Sequence, residues 1–118
     1  QDTACDGVID ANNINKIIVK NIVEDNTYKS IDNKSDIEKI ISFINDIPKE
    51  EIQNQTLGEW DFLIQTNGVE SNHTIIIKNN IMNIDNKYYK INAEEVNNFK
   101  VMYNDLNYDE NKIPYCDF

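Results

Sequence analysis

The chain has 118 residues, enough for one domain that buries roughly two-thirds of the surface its unfolded form exposes, so a core can form without a metal or a disulfide. Hydrophobic residues make up 40% and arrive in periodic groups, which argues against disorder, and apolar runs such as Ile75-Ile76-Ile77 fall far short of the ~18 residues that cross a bilayer. The net charge of -10, from 11 Lys, no Arg and 21 carboxylates, repels phosphate backbones and anionic lipid headgroups, so neither nucleic acid nor a membrane surface is an expected partner.

The first thirteen residues hold Asp2, Asp6 and Asp10 and no Lys, and read as an acidic arm. Asp2, Asp6, Gly7 and Asp10 fit positions 1, 5, 6 and 9 of a twelve-residue calcium loop, but Ala4 at position 3 lacks a side-chain oxygen. Asn13 at position 12 cannot replace the bidentate Glu, and flanking helices are missing. A solvated arm is therefore expected, with Asp2, Asp6 and Asp10 as the only calcium candidates, and neither a metal nor any other cofactor is expected. Residues 14 to 23, INKIIVKNIV, are β-branched and predict a strand buried on most of both faces. EDNT turns the chain into a second strand through Tyr28 to Ile31.

Ser35-Asp36-Ile37-Glu38 reads as a capping box that opens a helix. Ile37, Ile40, Ile41, Ile44 and Ile47 form its buried stripe, and Pro48 stops it. From Gly58 the period shortens: EWDFLIQT places Trp60, Phe62 and Ile64 on one strand face. Asn67-Gly68, Asn79-Asn80 and Asp85-Asn86 then mark three tight turns between four strands. Asn92-x-x-Glu95 opens a second helix whose buried stripe is Val96, Phe99, Met102, Tyr103 and Leu106. The stretch 49 to 57 is left unassigned, and 107 to 118 reads as an acidic tail. The order β-β-α-β-β-β-β-α predicts a single α+β domain over 1 to 118: an antiparallel sheet with two helices packed on one face.

Cys5 and Cys116 lie at opposite ends. A disulfide between them would need an oxidising compartment and would bring the two acidic ends together; the alternative is two unrelated thiols. His73, the sole histidine, reads as a surface residue at a strand end, because a metal site with Cys5 and Cys116 would lack a fourth ligand. Glu59 and Asp61 flank Trp60 as carboxylates beside an aromatic, which in so acidic a chain reads as the solvated face of a strand. Strand alternation puts Tyr88 and Tyr89 on opposite faces, so at least one is expected away from the helices as a surface contact to sugar or protein. Three scattered glycines make no phosphate cradle, and no catalytic residues are expected. The Asn-x-Ser/Thr sites at Asn33, Asn54 and Asn72 are expected by chance among 20 Asn, a bias shared by the 20 Ile that points to AT-rich codons and a low-GC bacterium.

The stretches INKIIV, SIDNKSDIEKIISFI, GEWDFLIQT and NNIMNIDNKYYKI resemble small exported domains, often lipoproteins, of low-GC Gram-positive bacteria. The resemblance covers most of residues 14 to 106 and consists of fold-forming residues. It implies an extracellular or cell-envelope location, with a lipid anchor upstream of Gln1 compatible with it, and it brings no catalytic positions. The expectation is a non-enzymatic module that binds an envelope ligand or protein. The alternative is an acidic inhibitor or immunity-type protein that masks a basic partner enzyme by charge complementarity.

Overall fold

A computed structural model describes residues 9–22, 26–54, 60–69 and 72–112. Eight strands form one antiparallel sheet: β1 (Ile14–Asn21), β2 (Thr27–Ile31), β3 (Glu50–Ile52), β4 (Phe62–Gly68), β5 (His73–Lys78), β6 (Ile81–Ile84), β7 (Lys87–Lys90) and β8 (Asn111–Lys112). Their spatial order is β3-β7-β6-β5-β4-β1-β2-β8. Helices α1 (Lys34–Asp46) and α2 (Glu94–Asp105) complete the α+β layout expected from the sequence. The six expected strands are present. The two further ones, β3 and β8, are edge strands of three and two residues, too short to show an alternating pattern.

Opposed residues of neighbouring strands share a face, so the register sorts every strand side chain. One face presents Ile17, Val19, Ile31, Phe62, Ile64, Ile75, Ile77, Met82, Ile84 and Tyr89, which join Ile37, Ile40, Ile41 and Ile44 of α1 and Phe99 and Tyr103 of α2 in a single buried cluster. Both helices therefore cover the same face. The four α1 isoleucines alone remove about 2 kcal/mol of apolar surface each from water, before conformational entropy is subtracted. Aromatic packing links the layers: Phe99 meets Phe62 edge-on at 4.9 Å and Phe43 of α1 at 5.8 Å, while Phe62 also meets Tyr103 at 5.9 Å.

Several local expectations need correction. The cap of α1 is Asn33, whose side chain accepts from the Asp36 amide at 3.2 Å, and Ser35 lies inside the helix. Asn33→Ala should therefore lower stability by about 1 kcal/mol, and Ser35→Ala should leave the melting midpoint nearly unchanged in the same thermal scan. At α2 the expected capping box of Asn92 and Glu95 does not form: the N-cap is Ala93, with no side-chain cap bond, while Asn92 just before it accepts from the Glu94 amide at 2.9 Å and Glu95 accepts from Asn98. Asn67-Gly68 is not the turn: both residues pair with β1, opposite a register shift between Ile14 and Lys16, and Val69 still donates to the Asn13 carbonyl at 2.9 Å. The other two turns form where expected, with positive φ at Asn79, Asp85 and Asn86. β1 is deeply buried on one face only, since Ile18 and Lys20 are half-buried. Trp60 precedes β4 and lies outside the core cluster, also half-buried.

Ile9 is buried in the core, and its backbone exchanges two hydrogen bonds of 2.9 Å with the Asn45 side chain of α1.

Neither helix has a basic residue in its last turn, yet each C-terminus is capped by a lysine from elsewhere. Lys49 donates to the carbonyls of Ile44, Asn45 and Ile47 at 2.8, 3.3 and 3.1 Å. Lys29, on the helix-facing side of β2 and 5% exposed, donates to those of Tyr103 and Leu106 at 2.6 and 2.8 Å, with its ammonium 4.4 Å from the Tyr103 ring centre. Each places a cation where the helix macrodipole is negative and its last carbonyls lack donors.

Candidate functional site on the open sheet face

The face of the sheet away from the helices is built by the residues that alternate with the core. Its central row crosses seven strands in register: Ile52, Tyr88, Asn83, Ile76, Leu63, Lys20 and Tyr28. Ile18 and Gln65 lie in the row on one side of it, and Ile81 and Lys90 in the row on the other. Seven strands at about 4.8 Å spacing span roughly 29 Å, and the three rows cover roughly 14 Å along the strands. That footprint of roughly 400 Å² is about half of the ~800 Å² that one partner commits to a standard protein interface.

The face is apolar at its centre. Leu63 is the one buried aliphatic among the described residues that stands outside the core cluster; in register it lies between Lys20, whose stem can cover apolar surface, and Ile76. Ile18, Ile52, Ile76, Ile81, Tyr28 and Tyr88 are all half-buried. Asn83 is buried and spends its side-chain oxygen on the Asn86 amide at 2.9 Å, fixing the β6–β7 turn.

Tyr88 and Tyr89 fall on opposite faces as alternation requires, which removes one of them as a surface contact. Tyr89 is 5% exposed and packs in the core, opposite Met82. Tyr88 stands on the open face between Asn83 and Ile52.

The other described residues singled out in the sequence hold local turns. His73 is less solitary than expected: its Nδ1 lies 2.6 Å from Asp85 Oδ2, while Asp85 Oδ1 accepts from the Thr74 amide at 3.0 Å. The Asp85 amide returns a bond to the Thr74 carbonyl at 3.0 Å, so the pair clamps the β6–β7 turn to the start of β5. Twelve residues separate the two in sequence, and only the hairpin register brings them together. Asp61 similarly spends Oδ2 on the Asn79 amide at 2.8 Å, holding the β5–β6 turn, and Glu59 lies outside the described residues. Asp10 accepts from the Asn12 amide at 2.9 Å, capping a short 3-10 turn over Ala11–Asn13. Asp2, Asp6, Cys5 and Cys116 lie outside the described residues. Among the described residues no group of three His, Cys, Asp or Glu side chains gathers as metal ligands. No described helix is long and apolar enough to cross a membrane.

Between the helices a groove of about 400 Å³ is lined by Phe43, Val101, Met102, Asp36, Asp105 and Lys39, among others. Val101 is 60% exposed there. Tyr108 closes over the start of α1, its hydroxyl donating to Asp36 at 2.8 Å, and burial together with that bond holds its pKa above the ordinary 10.0. Comparison with protein-family models, with curated proteins and with solved structures finds nothing that matches this chain.

Proposed function

We propose that this chain is a non-enzymatic binding module, exported to the cell envelope or the exterior, that meets its ligand with the open face of its sheet. The observation that supports the reading most is the row through Tyr88, Ile76 and Leu63: large apolar and aromatic side chains on a face that neither helix covers. Tyrosine supplies much contact area at low entropic cost, which suits a recognition surface. The titratable groups that could suggest catalysis, His73, Asp61 and Asp85, are engaged in holding turns. The location rests on the resemblance to exported domains.

Immobilised protein exposed to an envelope and secreted fraction of a low-GC Gram-positive bacterium should retain a component that Ile76→Asp retains at least tenfold less. Val101→Lys, on the helix side, should retain it fully. No component that depends on Ile76 would refute the reading. The acidic-inhibitor alternative is favoured by the groove between the helices, where Asp36 and Asp105 border Phe43, Val101 and Met102. It predicts the reverse pattern, loss with Val101→Lys and retention with Ile76→Asp.

A further inference from the structure

The open face reverses the sign of the whole protein. Its strands present Lys16, Lys20, Lys78 and Lys90 against the single carboxylate Glu50, which stands opposite Lys90 at the β3 edge. The helices on the other side carry Asp36, Glu38, Asp46, Glu94, Glu95 and Asp105 against Lys34, Lys39 and Lys100. A chain of net charge -10 thus sets four ammonium groups against Glu50, Asp61 and Asp85 among the described residues of the face away from its helices, a local excess of one positive charge. Among the described residues none of the four lysine side chains forms an ion pair or hydrogen bond. Asp61 and Asp85 stand at the strand ends on the rim of the same face, where they accept from the Asn79 and Thr74 amides and keep their negative charges.

The two signs act separately in solution. A helix is about 10–12 Å across, so carboxylates on the outer helix surface lie more than one Debye length, about 8 Å at physiological ionic strength, from the open face. A partner approaching that face meets ammonium groups first.

We infer that the partner of the open face is an acidic protein surface, one whose carboxylates ring an apolar centre. This rests on the binding-module reading and adds the chemistry of the partner. The lysines surround an aliphatic middle of Ile18, Leu63, Ile76 and Ile81, which is the anatomy of a protein interface: apolar core, charged rim. An anionic carbohydrate would instead call for aromatic platforms throughout, and the face offers Tyr28 and Tyr88 near its two ends. Five strand steps of about 4.8 Å separate them, roughly 24 Å. With no arginine in the chain, the lysines act as point charges that steer and orient, while the apolar row supplies most of the contact area.

The test is a titration with a glutamate-tyrosine copolymer, a polypeptide that carries carboxylates and apolar groups, followed by amide chemical shifts at low and at physiological salt. Expected shifts concentrate at Lys20, Leu63, Ile76 and Tyr88 and weaken as salt rises. Replacing Lys16, Lys20, Lys78 and Lys90 together by Gln should weaken binding at least tenfold with spectral dispersion intact; Lys16→Glu with Lys90→Glu, both on exposed positions, is the milder second variant. Tighter binding of polygalacturonate at the same residues would overturn the protein-partner inference in favour of an anionic glycan. Binding of polylysine at the helices, with no effect of the copolymer on the open face, would overturn the assignment of sign. In either case Ile76-dependent retention would still uphold the binding-module reading, and its loss would remove both.

Discussion

Phe99→Ala should destabilise the domain by about 3–5 kcal/mol, the largest effect expected of any single truncation here. Phe99 is 1% exposed and joins three elements at once: Phe43 of α1, Phe62 of β4 and its own helix. Its removal leaves a cavity lined by rings fixed on separate elements, which cannot collapse together, so the lost transfer energy and the cavity energy add. Against a total stability of about 5–15 kcal/mol this is a large share, and the melting midpoint should fall by on the order of 10–20 °C. Val101→Ala, two residues further along α2 and on its exposed side, should change stability by less than about 0.5 kcal/mol in the same thermal scan.

Lys29→Met should cost about 2–4 kcal/mol, although it replaces a charge by an apolar side chain of similar length. The Tyr103 and Leu106 carbonyls both accept from the Lys29 ammonium, and methionine leaves them buried without that donor. The same substitution changes the pH dependence. Burial lowers the Lys29 pKa from the ordinary 10.5, with Glu110 and Asp105 drawing it partly back. Between the lowered value and 10.5 the unfolded chain binds more protons than the folded one, so stability linked to Lys29 rises with pH across that window. Denaturant titrations from pH 8 upward should show the difference between wild type and Lys29→Met widening; a constant difference would mean that Lys29 does not titrate with folding. Tyr108, whose pKa is raised, contributes with the opposite sign above pH 10 in both proteins and cancels in the comparison.

The helices and the meander were legible because their signals are local. Ile37, Ile40, Ile41 and Ile44 repeat with the helical period, and Asn79 and Asp85-Asn86 adopt the positive φ that their residue types tolerate. Asn67-Gly68 misled because its local turn preference lost to pairing with β1, which also draws in Val69 through its bond to the Asn13 carbonyl. β3 and β8 exist only by virtue of the strands they extend. Lys29 could not be recognised as a buried cap, since its partners lie 74 and 77 residues away. Of the candidate site, Tyr88 was visible from alternation with Tyr89. Its neighbours in the row come from six other strands, and the gathering of Lys16, Lys20, Lys78 and Lys90 on one face depends on register that no single segment encodes.

The most direct test of the open face as the binding surface is methyl carbon-13 spectroscopy of the isoleucine- and leucine-labelled protein with its retained envelope component. The account predicts shifts at Ile18, Ile52, Leu63, Ile76 and Ile81, with the core methyls of Ile40 and Ile44 unmoved. Unchanged open-face methyls alongside shifted valine and methionine methyls of Val101 and Met102, labelled in parallel, would contradict it and place the contact between the helices.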